Sequence, residues 1–211
     1  MPHTETVNAI RVHFRDWIMK GVAPPPSRYP NLANGTLVDA TSTAMGFPAI
    51  PGLPAGTPTG LINPGLDYDF GPGFNYMDGS GVQTVVPPRI KQVIALKVPK
   101  VDADGNEQGG VPVVLHDAPL GTYLGWNLTA AGFHKGQICN YAGGMVPFAK
   151  TKAERMATKD PRPSLEERYV DHAGYVAAVA AAARNAVTEG FLLVADQKKL
   201  VADAEASDVL K

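Results

Sequence analysis

The longest helical pattern in the chain is SLEERYVDHAGYVAAVAAAARNAVTE, which spans residues 164–189. Ser164 and Glu167 have the spacing of a capping box, in which each side chain bonds a backbone N–H that the first helical turn leaves unpaired. Apolar residues then recur at helical spacing to the end of the stretch. We predict one helix from Ser164 to about residue 189 and a shorter helix over residues 196–206, so that residues 161–211 form a C-terminal helical pair.

A second helical pattern opens the chain. Either Thr4 or Thr6 can cap its start, Gly21 can end it, and the prolines of residues 24–26 prevent its continuation. Residues 1–21 are therefore predicted to be helical. The apolar face needs a partner surface, because each fully buried Ile, Phe or Val contributes roughly 1.5–3 kcal/mol. Its members are Val7, Ile10, Phe14, Trp17 and Ile18.

Glycine and proline are concentrated in one long segment. Of the 22 glycines and 19 prolines, 23 fall between positions 21 and 90, where charged residues are few. Low charge argues against disorder, and a loop of this length in a compact domain usually lies over a functional site. We interpret residues 22–89 as an ordered, irregular strap that is laid against another surface.

After the strap the pattern changes to runs that are rich in β-branched residues. The runs Val93–Val101 and Val111–Leu115 flank a string of turn-forming residues at 102–110, which predicts a β-hairpin within the region 90–160. A small antiparallel sheet centred on residues 90–128 follows from it. The predicted fold class is α+β: an N-terminal helix, a long Pro/Gly-rich strap, this sheet and the C-terminal helical pair.

Composition excludes several classes of function. The 19 basic and 20 acidic residues give a formal charge of −1, so nothing attracts the whole chain to nucleic acid. A single cysteine, Cys139, excludes an internal disulfide and a multi-cysteine metal site. No apolar run approaches the roughly 20 residues of a membrane span. The histidines lack metal-ligand spacing, so we predict no metal and no cofactor. The start of the chain has no targeting signal, and the compartment is left open.

Few residues are candidates for catalysis. Cys139 follows His134 by five residues, which raises the hypothesis of a thiol and its base, and His3 is a second candidate base. A small buried thiol and surface imidazoles are the alternative interpretation. No serine lies in the Gly-x-Ser-x-Gly elbow of a serine hydrolase. We therefore expect no catalytic residue in this chain.

Two further motifs have structural alternatives. Asp102, Asp104 and Asn106 resemble part of a calcium loop, but the glycine and glutamate of that motif are misplaced, so a turn is favoured. The cluster of Tyr123, Trp126 and Asn127 suggests an aromatic platform for a sugar or ester substrate. Packing of a turn against a sheet is the alternative for that cluster.

Several segments taken together resemble the C-terminal part of the bacterial family called α/β-hydrolase-domain proteins. The resemblance runs from about residue 1 to residue 204 and is weakest over residues 39–83. It is carried by NAIRVHFRDWIMKG (8–21), PPPSRYP (24–30), GTLV (35–38), PLGTYLGWN (119–127), PFAKTKAER (147–155) and DPRPSLEERY (160–169).

The resemblance implies a hydrolase of ester or related acyl substrates whose nucleophile and triad lie in a larger N-terminal portion. The histidine of that family falls just before the segment where this chain begins, and His3 does not match it. On this resemblance we expect Met1 to correspond to an internal position of a longer protein and any export signal to lie in its N-terminal portion. The first helix, which follows the family histidine, would pack on the central sheet of the complete enzyme.

Two functional hypotheses follow. In the first, the chain is an accessory region that shapes or covers the substrate pocket, inactive alone and partnered by the N-terminal hydrolase portion in cis or by a second subunit. In the second, it is a stand-alone, non-catalytic module that binds a ligand or a protein. A third alternative is a pseudogene remnant that does not fold.

Overall fold

A computed structural model describes residues 3–56, 65–79, 81–111, 113–140 and 143–211. Within these ranges the helices are α1 (Thr4–Lys20), α2 (Ser42–Met45), α3 (Val114–Asp117), α4 (Lys152–Thr158), α5 (Leu165–Tyr169), α6 (His172–Thr188) and α7 (Val194–Ala206). The strands are β1 (Leu37–Asp39), β2 (Gly65–Asp69), β3 (Arg89–Ile94), β4 (Lys97–Pro99), β5 (Gly121–Leu124), β6 (Asn127–Leu128), β7 (Ile138–Asn140) and β8 (Gly144–Pro147). The mixed α+β class, with a helix at each end, is confirmed.

The main core lies under the C-terminal helices. Helix α6 buries Val179, Ala182 and Ala183 against α7, α3 and α5, because its alanines let the neighbouring helices approach closely. Phe148 at the end of β8 and Leu192 between α6 and α7 complete this core. The larger of the buried apolar clusters in the described chain therefore lies at the C-terminal helices.

The prediction of one helix over residues 164–189 is wrong in one respect. The capping box of Ser164 and Glu167 is present, but α5 ends at Tyr169, and Asp171 starts α6 as a new N-cap whose carboxylate accepts from the Gly174 N–H at 2.8 Å. Gly174 lies directly against the Tyr169 carbonyl, where a Cβ would collide with that oxygen. The break therefore depends on a local cap and a close backbone approach, which override the continuous apolar spacing.

Helix α1 ends where predicted but starts from a different cap. His3 occupies the N-cap without a side-chain hydrogen bond to the helix, and both Thr4 and Thr6 lie inside the helix. Gly21 ends the helix in the left-handed conformation, as predicted. One face packs on the corner between α6 and α7, where Ala9 is fully buried and His13 Nε2 donates to the Gly190 carbonyl at 2.7 Å.

The strands form four two-stranded antiparallel sheets rather than the predicted hairpin. The run 93–101 contributes to β3 and β4, which pair with β2 and β1 of the strap, and residues 114–115 begin α3. Among the described residues no bridge joins the two predicted arms, and the bridge Val101–Glu107 closes the turn between them. Antiparallel pairing within residues 90–160 instead joins β5 to β8 and β6 to β7. Strand pairing depends on partners distant in sequence, which β-propensity does not identify.

Strands β2 and β3 pair with each other and form an exposed two-stranded arm. Every residue of β3 is exposed, and the register shifts opposite Asp67 and Tyr68. Arg89, Lys91 and this bulge protect the open edge from pairing with another strand. The arm is stabilised at one end by contacts among the rings of Tyr68, Phe70, Phe74 and Tyr76.

Candidate functional site

A cleft of about 360 Å³ opens beside β5, and Tyr123 is among the residues that line it. Its walls come from the turn after β4, from the segment leading into α3 and from the N-terminus of α1. Asn106 fixes the position of β5: its Nδ2 donates to the Gly121 carbonyl at 3.2 Å, and its Oδ1 accepts from the Tyr123 N–H at 2.8 Å. The lining includes His3, Pro30, Glu107, Gln108, Val111, His116, Tyr123 and Leu124.

The three residues of the predicted aromatic platform lie in different environments. Tyr123 lines the cleft, whereas Trp126 is buried, with 7% of its surface exposed, and Asn127 is exposed with its Oδ1 accepting from the Leu128 N–H. Burial raises the pKa of the Tyr123 hydroxyl, which accepts a hydrogen bond from the Leu120 N–H at 3.4 Å. The hydroxyl therefore stays protonated at neutral pH and is a hydrogen-bonding group rather than a base.

His116 forms one wall of the cleft, and sequence reasoning did not single it out. Its Nε2 donates to the Glu107 carbonyl at 2.8 Å, and its Nδ1 lies 3.3 Å from an oxygen of Asp117. The hydrogen bond with Asp117 raises the pKa of His116, more than burial lowers it. Since both ring nitrogens have acceptors, this side chain ties α3 to the turn at Glu107 and is not available as a general base.

The candidates for catalysis do not form a described catalytic pair. His3 is the exposed N-cap of α1 at the rim of the cleft. Cys139 lies in β7, and its side chain lies outside what the structure describes. His134 is exposed, with its ring packed edge-on against Phe133 at 4.4 Å between centroids. The pairing of Cys139 with His134 or His3 stays a hypothesis.

The remaining polar candidates have structural roles. Ser164 caps α5, and the Ser207 hydroxyl donates to the Ala204 carbonyl at 2.7 Å. His172 faces two carbonyls at the end of the chain, those of Val209 and Glu205. The carboxylate of Asp102 accepts from two N–H groups of its own turn, which agrees with the turn interpretation. Among the described residues, no group of three or more His, Cys, Asp or Glu is arranged to hold a metal ion.

A second surface lies on the outward face of α1. Phe14 is 60% exposed and Ile18 is 66% exposed, although both are large and apolar. A groove of about 320 Å³ runs along this face and is closed on the far side by the prolines of residues 24–26 and by Phe191. Large apolar patches rimmed by polar residues mark interaction sites in soluble proteins. The predicted apolar helix face is therefore real, and the described part of the chain leaves it largely uncovered.

Sequence reasoning missed two features that shape these sites. Helix α4 carries a capping box of Thr151 and Glu154, a signal that was visible as Thr-x-x-Glu. Arg162 is 2% exposed and bonds Asp160 and the carbonyls of β8, which fixes β8 and its partner β5. Nothing in the segment Asp-Pro-Arg-Pro signals that its charges are buried.

No helix in the described ranges has both the length and the apolar character needed to span a bilayer. No curated protein and no solved structure is significantly similar to the chain. A family model described as alpha/beta hydrolase domain matches residues 1–202, which is nearly the whole sequence. That match agrees with the resemblance carried by the segments at both ends, and the chain belongs to the alpha/beta hydrolase domain family.

Proposed function

We propose that this chain is the accessory region of a serine hydrolase that acts on ester or related acyl substrates. It shapes or covers the substrate pocket and is inactive until it meets a nucleophile-bearing portion, either in the same polypeptide or as a second subunit. The observation that carries the proposal is the exposed apolar face of α1 in a chain that belongs to a hydrolase family.

The energetics of α1 support a missing partner surface. Ile10, Phe14, Trp17 and Ile18 are each about half or more exposed, and covering such side chains would contribute roughly 1.5–3 kcal/mol for each one fully buried. Arg11 lies beside this row and has no ion-pair partner among the described residues. An apolar partner surface with an acidic group at its edge would match both features.

The chemistry is divided between the two portions. In the nucleophile-bearing portion a serine hydroxyl attacks the acyl carbon, a histidine takes its proton, and backbone N–H groups stabilise the oxyanion. The alcohol leaves, and water then releases the acid. To Tyr123, which lines the cleft and keeps a protonated hydroxyl, we assign a hydrogen bond to an ester oxygen of the substrate.

The first test uses the purified 211-residue chain. We expect neither hydrolysis of p-nitrophenyl acetate above the buffer rate nor labelling by a fluorophosphonate probe, which reacts with activated serines. Turnover by the chain alone that is lost in Cys139→Ala or His3→Ala would contradict the proposal.

The second test adds a nucleophile-bearing portion. The DNA flanking the coding region is read for an in-frame Gly-x-Ser-x-Gly segment, and the product is co-expressed with the chain. We expect ester hydrolysis to appear, to fall at least ten-fold in Phe14→Asp and to survive in Phe14→Leu. Met156→Asp, at an exposed apolar residue of α4, is the matched control and should not change the rate. A flanking sequence without that segment would favour the stand-alone binding module, for which the Tyr123 cleft is the candidate site.

A further inference from the structure

A separate cavity of about 250 Å³ lies where the start of α1 meets α3 and the α6–α7 pair. Apolar side chains form most of its walls: residues 113–115 around the start of α3, Ala186 of α6, Phe191 and Leu192 of the corner, and Leu200 of α7. The cavity is partly open to solvent, so a small molecule can enter it. A cavity of about 150 Å³ with such a lining is already large enough to hold benzene.

The polar groups at the mouth of the cavity select against an anion, and its apolar walls select against any charged ligand. Lys199 Nζ lies 2.9 Å from an oxygen of Asp203 and 3.7 Å from an oxygen of Glu5, so its ammonium already faces two carboxylates. A carboxylate ligand would find no unpaired cation in the described lining, and an ammonium ligand would lose hydration on entering an apolar space. The Thr6 hydroxyl is the one neutral hydrogen-bonding side chain among the described lining residues.

From this lining we infer a binding site for a neutral aromatic group of one or two rings that carries at most one hydrogen-bonding group. The volume accommodates a ring with a small substituent, or two fused rings, in contact with Phe191 and Leu200. The inference does not depend on the proposed hydrolase assembly, because every residue that it uses belongs to the described part of this chain.

The test is binding of toluene, indole, benzoate and benzylamine to the purified chain, measured by calorimetry and by shifts of methyl resonances. We expect toluene and indole to bind, and benzoate and benzylamine to bind at least ten-fold more weakly. Absence of toluene and indole binding up to millimolar concentration, or equal binding of benzoate, would overturn the inference.

Two variants locate the site. Ala186→Leu places three more carbons into the cavity and should weaken toluene binding at least ten-fold. Ala177→Leu, the same substitution at an exposed position of α6, should leave binding unchanged. Unchanged binding by a folded Ala186→Leu chain would show that the ligand lies elsewhere. If that variant does not fold, the test is to measure nuclear Overhauser contacts between bound toluene and the methyl groups of Leu115 and Leu200 in the unchanged chain. We expect these contacts, and their absence would overturn the inference.

Discussion

Arg162 joins more of the molecule than any other single side chain in the described core. Its guanidinium bonds both oxygens of Asp160, the Thr122 hydroxyl and the carbonyls of Val146 and Pro147. Burial, the largest single effect, raises the pKa of Asp160, but the hydrogen bonds from Arg162 outweigh it and the net shift is downward. Asp160 and Arg162 therefore both stay charged in the interior, where each charge compensates the other.

Arg162→Met is expected to lower the free energy of unfolding by roughly 3–5 kcal/mol, because it leaves the Asp160 carboxylate buried without its cation. Urea unfolding followed by circular dichroism measures this change. Arg184→Met, at an exposed position of α6, should stay within about 0.5 kcal/mol of the unchanged chain. Equal effects of the two substitutions would contradict a structural role for the buried pair.

His116 gives the stability a predictable dependence on pH. Its pKa is raised in the folded chain by Asp117, so its contribution is fully present below the unfolded pKa of about 6.5 and is lost as pH rises through the folded pKa. We expect the unchanged chain to exceed His116→Gln in stability by up to about 1 kcal/mol at pH 5.5 and by less at pH 8.5. Urea titrations at both pH values test this, and a difference that grows with pH would contradict it.

At the scale of elements, local signals predicted helix ends better than they predicted what the elements contact. The Ser164–Glu167 box could be predicted because all its atoms lie within one turn, and the Ser164 N–H, with Arg155, lowers the pKa of Glu167 to about 2. Strand β4 pairs with β1, where Lys97 bonds Asp39 across 58 positions of sequence. No local pattern specifies such a partner, which is why the predicted hairpin was wrong.

The corner at Gly190 holds three elements together. Its φ of +82° lies in the left-handed region, and a Cβ there would lie 3.0 Å from Pro25 of the strap and 3.3 Å from His13 of α1. The strap segment and α1 therefore both rest on a position that only glycine occupies without strain.

Gly190→Ala is expected to destabilise the chain by about 1–3 kcal/mol, through the left-handed backbone and the displacement of Pro25. Thermal unfolding measures the loss. Gly110→Ala is the matched control, because a Cβ at that position would have no described atom within 4 Å and the φ of Gly110 is outside the left-handed region. A neutral Gly190→Ala variant would show that the strap does not depend on this corner.

At the scale of the whole molecule, the sequence predicted the class and the uncovered helix face, but only part of the cleft. Tyr123 could be selected because an aromatic residue in a glycine-rich strand is conspicuous. Glu107 reaches the same cleft from the predicted turn, whereas His116 reaches it from a short helix that the predicted hairpin did not contain. Trp126 is also an aromatic residue among glycines, yet its side chain is buried. Composition does not distinguish a residue that lines the cleft from one that is buried in the core.

The uncovered face of α1 leads to a prediction for the isolated chain. Phe14→Glu combined with Ile18→Glu replaces two side chains that are 60% and 66% exposed, so little packing is lost. We expect the free energy of unfolding to change by less than about 1 kcal/mol. Binding of a fluorescent hydrophobic dye and concentration-dependent association should both fall, because the apolar patch is interrupted by charge.

Equilibrium unfolding, dye fluorescence and light scattering on the same samples separate the possible causes. Met156→Glu, on exposed α4, removes an apolar side chain of similar exposure away from the patch and should reduce dye binding much less. A loss of several kcal/mol in the double variant would mean that the chain itself covers this face in solution. The accessory role would then lose its principal support, because a helix face that its own chain already covers needs no partner surface.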